Sequence, residues 1–210
     1  NEVLKEPISQ VQKNFAPFSI LNQARAFHTT TPMPNGKMLV AGGTNGPYVL
    51  QTAEILDPES GTGVVAANLM STPRDLHTAT LMPNGRVLLA GGFTTTAAST
   101  GSTSSVDIFY PDVRVFLPTT QMISSRSNHT ALLLPDGRVF AAGGFGDNDI
   151  ISGSGEIYDP ITAKWTATAP MPANCARAIH VAVLRKDGLV MLIGGVSDQG
   201  GEGGRCHALI

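Results

Sequence analysis

Four pairs of arginine and histidine recur along this 210-residue chain at intervals of about 50 residues. In each pair the arginine precedes the histidine by three positions. The pairs are Arg25/His28, Arg74/His77, Arg126/His129 and Arg177/His180. Guanidinium groups match carboxylates bidentately and imidazole rings bind metal ions, so either set of side chains is capable of binding a ligand.

Two roles are possible for the repeated arginines. As a cationic ring near one axis, they would bind a carboxylate or a sugar acid. As a structural device, each would pair with an acidic residue of a neighbouring sheet, namely Glu54, Asp107 or Glu156. Because a residue repeated in every unit usually serves what every unit needs, we expect the structural role and keep ligand binding as the alternative.

The histidines favour a structural role more strongly. A four-coordinate metal site needs nitrogen atoms within about 2.1 Å of one ion, and equivalent positions of repeated units lie much farther apart. We therefore expect no metal at these residues. Each buried imidazole is instead predicted to donate to a neighbouring backbone carbonyl.

Further residues repeat in fixed order after each histidine. An Asn-Gly or Asp-Gly pair comes first and is followed by a Gly-Gly doublet. In three units a short element comes after the doublet, and it contains an acidic residue, an aromatic or aliphatic residue, and a proline. The doublets are Gly42-Gly43, Gly91-Gly92, Gly143-Gly144 and Gly194-Gly195. We assign the doublets and the four histidines to the structural repeat.

Each unit is predicted to contain four strands. Asn-Gly and Asp-Gly pairs favour tight hairpins between the first two strands, and successive apolar residues such as those of 87–90 indicate a second strand covered on both faces. The acidic element forms the third strand, and the fourth carries a bulky residue, Val64, Phe116 or Trp165. No segment has a sustained helical period, so we predict an all-β array of four-stranded antiparallel blades.

The Gly-Gly doublet followed by Tyr158 and Trp165 resembles the kelch motif. More narrowly, residues 126–144 resemble the bacterial repeats related to the central domain of galactose oxidase. The resemblance implies a β-propeller of six or seven blades. About four blades are present, so we expect part of a larger propeller rather than a closed four-bladed ring. The resemblance implies little about activity, because this architecture carries many unrelated functions.

The whole chain, residues 1–210, is predicted to be one such propeller domain. Its units begin near residues 25, 74, 126 and 177, and residues 1–24 supply the third and fourth strands of a flanking blade. The connections after the second strands vary in length and share one face with those after the fourth strands. We expect that face to bind ligands.

The sequence supports no catalytic centre, metal or other cofactor. The copper site of galactose oxidase needs a cysteine-linked tyrosine, a second tyrosine and two histidines, and these residues do not come together in this pattern. Acidic loops at 147–149 and 198–202 lack the spacing of a calcium loop. No nucleophile triad or phosphate-binding loop stands out either.

Composition restricts the partners. A net charge of −2 without basic runs argues against nucleic acid, and no apolar segment is long enough to span a membrane. Cys175 and Cys206 are the two cysteines and could form one bridge. Few charged residues and abundant glycine favour an extracellular, cell-surface or periplasmic protein. We predict a non-enzymatic recognition module for a protein or glycan; the alternative is a carbohydrate-active enzyme or oxidase domain, of galactose oxidase or sialic-acid mutarotase type, with catalytic residues partly outside this chain.

Overall fold

A computed structural model describes residues 21–96, 100–172 and 174–197. These residues contain strands and one short 3-10 turn at Asp147–Asp149, and no α-helix. No helix in the described ranges is long and apolar enough to cross a membrane. The predicted strands of residues 1–20 and the acidic loop at 198–202 lie outside the described residues, as does Cys206.

The strands fall into four successive units. The first contains β1 (Thr29–Pro32), β2 (Met38–Ala41), β3 (Thr44–Asn45), β4 (Tyr48–Val49), β5 (Ala53–Asp57) and β6 (Thr62–Val65). The second contains β7 (Thr78–Leu81), β8 (Val87–Ala90), β9 (Phe93–Thr95), β10 (Thr100–Ser102), β11 (Val106–Tyr110) and β12 (Val115–Pro118). The third contains β13 (Thr130–Leu133), β14 (Val139–Ala142), β15 (Gly155–Asp159) and β16 (Lys164–Ala167), and the fourth β17 (Val181–Leu184) and β18 (Val190–Ile193).

Each of the first three units forms a four-stranded antiparallel sheet. Their strand orders are β1-β2-β5-β6, β7-β8-β11-β12 and β13-β14-β15-β16, and β17 pairs with β18 in the fourth unit. The inner strands β1, β7, β13 and β17 pack side by side in chain order. The predicted all-β class with four-stranded kelch-type blades is therefore confirmed.

Apolar clusters fill the spaces between successive sheets. Leu39 and Ile55 of the first sheet pack with Val87 and Leu89 of the second, and comparable clusters join the second to the third and the third to the fourth. Strands such as β8 are buried along their whole length because both faces of the sheet are covered. The continuous apolar runs thus reflect sheet-on-sheet stacking.

Aromatic pairs between the third and fourth strands anchor two of these clusters. Tyr158 pairs with Trp165 at a centroid distance of 5.1 Å, and Phe109 pairs with Phe116 at 4.8 Å. In the first unit the prediction that Val64 takes this place is wrong. The register sets Gly63 opposite Leu56, which leaves Val64 exposed.

Candidate functional site

The repeated arginines lie just before the inner strands, and the guanidinium groups of three of them are buried in ion pairs. Nη2 atoms approach carboxylate oxygens at 3.0 Å in Arg25–Glu54, 2.7 Å in Arg74–Asp107 and 2.8 Å in Arg126–Glu156. These side chains are at most 1% exposed. Each acid belongs to the same sheet as its arginine, so the predicted pairing with a neighbouring sheet is wrong in that detail.

Each arginine also bonds to the glycine doublet of its own unit. Nη1 donates to the carbonyl of the doublet's first glycine in all four units, for example to Gly91 from Arg74 at 2.8 Å. Arg177 has this bond and donates through Nε to the Cys175 carbonyl, but has no carboxylate partner within the described residues. Burial lowers the pKa of Arg177. For Arg74 burial also lowers the pKa, and the Asp107 carboxylate opposes this.

The paired acids hold the loop that enters each unit. Glu54 accepts backbone hydrogen bonds from Asn22 and Gln23, and Asp107 and Glu156 accept equivalent bonds from Ser71 and Ile123. Burial raises the pKa of Glu54, but these bonds and the bond from Arg25 together lower it by more, so the net shift of the pKa is downward. The arginine–acid pair therefore fixes both the loop and the glycine doublet. Ligand binding by the four arginines stays a prediction, and their geometry favours the structural alternative.

The histidines join neighbouring units through their Nε2 atoms. His77, His129 and His180 lie 2.9, 3.0 and 2.9 Å from threonine hydroxyls on the inner strand of the preceding unit. Their Nδ1 atoms have no partner among the described atoms, so the predicted bond to a backbone carbonyl is wrong. Burial, reinforced by the nearby arginines, lowers the pKa of all three imidazoles, to about 4 in His180.

The glycine doublets lie where two units meet. The backbone N–H of the second glycine donates to the arginine carbonyl of the next unit, as Gly92 does to Arg126 at 2.8 Å. A Cβ atom on Gly91 would lie 2.4 Å from that carbonyl oxygen, and its φ of +63° is left-handed. Only glycine fits both conditions. The doublets are thus part of the joint between units.

A chain of backbone hydrogen bonds crosses the units beside these joints. Leu76 donates to Phe27, Asn128 to Leu76 and Ile179 to Asn128, at 3.0–3.2 Å. All four residues, which precede the repeated histidines, have left-handed φ values of 49–55°. Such a conformation is strained for bulky residues and persists only where the surroundings impose it. We call this set the axial rim.

The axial rim and the connections that follow the second and fourth strands lie at one end of the array. We call this end the loop face. Bonds such as Met122 N–H to the Ser104 carbonyl join the two kinds of connection. In the described residues the loop face comprises the segments 21–28, 42–52, 66–77, 91–96, 100–105, 118–129, 143–154, 168–172, 174–180 and 194–197. The opposite end, the turn face, comprises the tight turns 33–37, 57–62, 82–86, 110–115, 134–138, 159–164 and 185–189.

Charge is distributed unevenly between the two faces. Apart from the buried arginines and Asp75, the charged residues of the described loop face are Asp147 and Asp149. Its exposed apolar side chains include Tyr48 (72%), Phe27 (64%), Ile150 (63%) and Ile179 (60%). The turn face, by contrast, carries lysines, arginines and acids in nearly every turn. The loop face is therefore largely uncharged and partly apolar.

Asp75 is an unusual member of the loop face. It is buried, and its Oδ1 atom has no hydrogen-bond partner within the described part of the chain. Burial raises the pKa of this carboxyl. Alanine or serine occupies the same place in the other units, at Ala26, Ser127 and Ala178. Ser127 instead bonds to Ser102 of the preceding unit at 3.0 Å.

The two surface acids line a cavity of about 440 Å³ between the second and third units. Its walls include Thr100, Ser102 and Asn148 in addition to Asp147 and Asp149. Within the described ranges no three His, Cys, Asp or Glu side chains are grouped as metal ligands. The cavity thus belongs to the general loop-face surface.

Comparison with known proteins agrees with the fold. Residues 126–172 match the kelch motif family. A segment of 88 residues is 31% identical to beta-scruin of Limulus polyphemus. The matched segment is 42% of this chain and 9% of the length of beta-scruin. Together with the repeats and sheets described above, these matches support a relation of the chain to kelch-repeat proteins. Neither match shows a relation to galactose oxidase.

The sequence revealed the repeated arginines, histidines and glycines but not the axial rim. The rim residues Phe27, Leu76, Asn128 and Ile179 differ in type, so no residue pattern marks their shared backbone conformation. Their constant position just before each repeated histidine was the available signal.

Proposed function

We propose that this protein is a non-enzymatic binding module whose loop face docks on a partner protein. The exposure of apolar side chains on a face with few surface charges carries the proposal. Aromatic and aliphatic side chains on a surface with few charges are typical of the centres of protein interfaces. Kelch repeats are commonly protein-interaction modules, which supports the same class of function.

The axial rim supports this role through its rigidity. Phe27 and Ile179 are exposed, while their backbones are held by the hydrogen-bond chain across the units. When side chains on a fixed backbone bind, no further entropy is lost in ordering that backbone. We therefore assign Phe27 and Ile179 as anchors, with Tyr48 and Ile150 extending the contact outward.

The apolar character of these anchors favours a protein over a glycan. A protein partner covers apolar side chains with its own, whereas sugars bind mainly through placed polar groups and single aromatic platforms. The repeated arginines, which would have suited an acidic sugar, are already bonded to the protein itself.

Site-specific photocrosslinking tests the proposal. A photoreactive phenylalanine analogue replaces Tyr48 in one variant and Ile161 of the turn face in another, and both are irradiated in extract of the source organism. We expect a discrete protein adduct from position 48 that is absent from position 161, and that is lost when Phe27→Ser and Ile179→Ser are added.

Matched controls separate binding from folding. Ile161→Ser and Val65→Ser remove comparable exposed apolar side chains outside the loop face and should leave the adduct intact. All variants are compared by thermal melting. An adduct that forms equally from both positions, or one that survives loss of the anchors, would contradict the proposal, as would loop-face binding to a glycan array that the same substitutions abolish.

A further inference from the structure

A second cavity lies on the turn face, between the first and second units. Its volume is about 340 Å³, and its walls include Pro34, Arg86, Tyr110, Pro111 and Val113. It is separate from the loop face, at the opposite end of the sheets. Its walls combine a cationic group with proline rings and an exposed valine.

Arg86 is held in place by an aromatic ring. Its Cζ atom lies 4.3 Å from the centre of the Tyr110 ring, within the range of a cation–π contact. Contact through the ring face uses none of the five N–H donors of the guanidinium group. The donors therefore remain suited to a carboxylate.

The equivalent arginine of the third unit shows what Arg86 lacks. Arg138 lies in the same hairpin position, and its Nε donates to the Asp136 carboxylate at 2.7 Å. In the second unit Asn84 replaces that aspartate. The turn itself is unchanged, because Asn84 Oδ1 accepts the Arg86 N–H at 3.1 Å as Asp136 accepts that of Arg138.

Arg86 consequently has no carboxylate oxygen within 4 Å in the described part of the chain. Asp112 also lines the cavity, beyond that distance. Its negative charge disfavours a run of acids, while Pro34, Pro111 and Val113 offer apolar contact. The chemistry fits one acidic residue between apolar neighbours.

We propose that the cavity at Arg86 binds a single glutamate or aspartate side chain of an extended, otherwise apolar segment of a partner protein. The carboxylate bonds to the guanidinium N–H groups, and a flanking apolar side chain packs against Pro34, Pro111 and Val113. The site makes the turn face a binding surface independent of the loop face.

A pair of synthetic peptides tests the site. The probes are acetyl-Gly-Pro-Leu-Glu-Leu-Gly-amide and its glutamine counterpart, titrated into the uniformly ¹⁵N-labelled protein while the Arg86 Nε–H and nearby amide signals are followed. We expect the glutamate peptide to shift these signals and to bind about threefold to tenfold more tightly than the glutamine peptide.

Two substitutions at equivalent positions supply the decisive comparison. Asn84→Asp gives Arg86 the internal carboxylate that Arg138 has, and the same hairpin with aspartate already exists in the third unit, so the fold is retained. It should remove the preference for glutamate, whereas Asp136→Asn should leave it unchanged and Asp112→Asn should strengthen binding. Equal affinity for both peptides, no binding of either, or an unaltered preference in Asn84→Asp would overturn the proposal.

Discussion

The Nε2 atom of His77 lies 2.9 Å from the hydroxyl oxygen of Thr29, across the boundary between the first and second units. The same bond joins His129 to Thr78 and His180 to Thr130. With the doublet-to-arginine backbone bonds, it makes the Arg-x-x-His motif a joint between neighbouring sheets. The motif therefore belongs to the assembly of the array.

These joints should make the protein sensitive to mild acid. The imidazole pKa values in the folded state lie below the ordinary value of 6.5, to about 4 in His180, so the unfolded chain binds protons first as the pH falls. Stability present at pH 7 is then lost as the pH falls below about 6.5, and the contribution of His180 is lost by about pH 4. The loss is at most about 1.4 kcal/mol per pH unit and histidine. Urea unfolding at half-unit pH steps measures this loss. His77→Gln should flatten the curve, and an unchanged slope in that variant would count against the assignment.

Asp75 should be a source of instability. Its carboxyl is buried, one oxygen has no partner within the described residues, and burial raises its pKa, so the ionised form at pH 7 is unfavourable. Asp75→Ala, which copies Ala26 and Ala178, should raise the unfolding free energy by about 1 kcal/mol at pH 7 and by less at pH 4. Ser127→Ala, which removes the bond to Ser102, should lower it instead. A loss of stability in Asp75→Ala would show that this carboxylate has a stabilising partner.

Gly91 and Gly194 separate crowding from backbone strain. Both are first glycines of their doublets with φ of +63° and +70°, but a Cβ atom meets the Arg126 carbonyl at Gly91 and nothing within 4 Å at Gly194. We expect Gly91→Ala to cost about 2–4 kcal/mol and Gly194→Ala about 1 kcal/mol in denaturant unfolding. Equal costs would mean that the doublet is needed only for its backbone conformation.

The sequence was sufficient to predict the strands and the repeat, because hairpin pairs, apolar runs and the Gly-Gly doublets are local signals. The sequence predicts less well which residues contact each other in the folded protein. The sequence predicts Glu54, Asp107 and Glu156 as partners of the arginines but places them in a neighbouring sheet, because sequence spacing does not show which loop folds back on which strand.

Individual residues within strands were also harder to place. A one-residue difference in register put Gly63 rather than Val64 opposite Leu56, and periodicity cannot detect such a shift in a strand with few large side chains. The axial rim arises from backbone hydrogen bonds between units, which side-chain type does not reveal.

Replacing Arg126 by methionine tests most directly whether the repeated arginines are structural ties. In urea unfolding at pH 7, Arg126→Met should lower stability by about 2–4 kcal/mol, because Glu156 stays buried without its cation. Arg138→Met, which breaks the exposed pair with Asp136, should cost less than about 1 kcal/mol. The contradicting result has two parts. Arg126→Met would keep the stability of the unsubstituted protein, and calorimetry would show sialic acid binding to the unsubstituted protein but not to Arg126→Met. That result would make the arginines a ligand site.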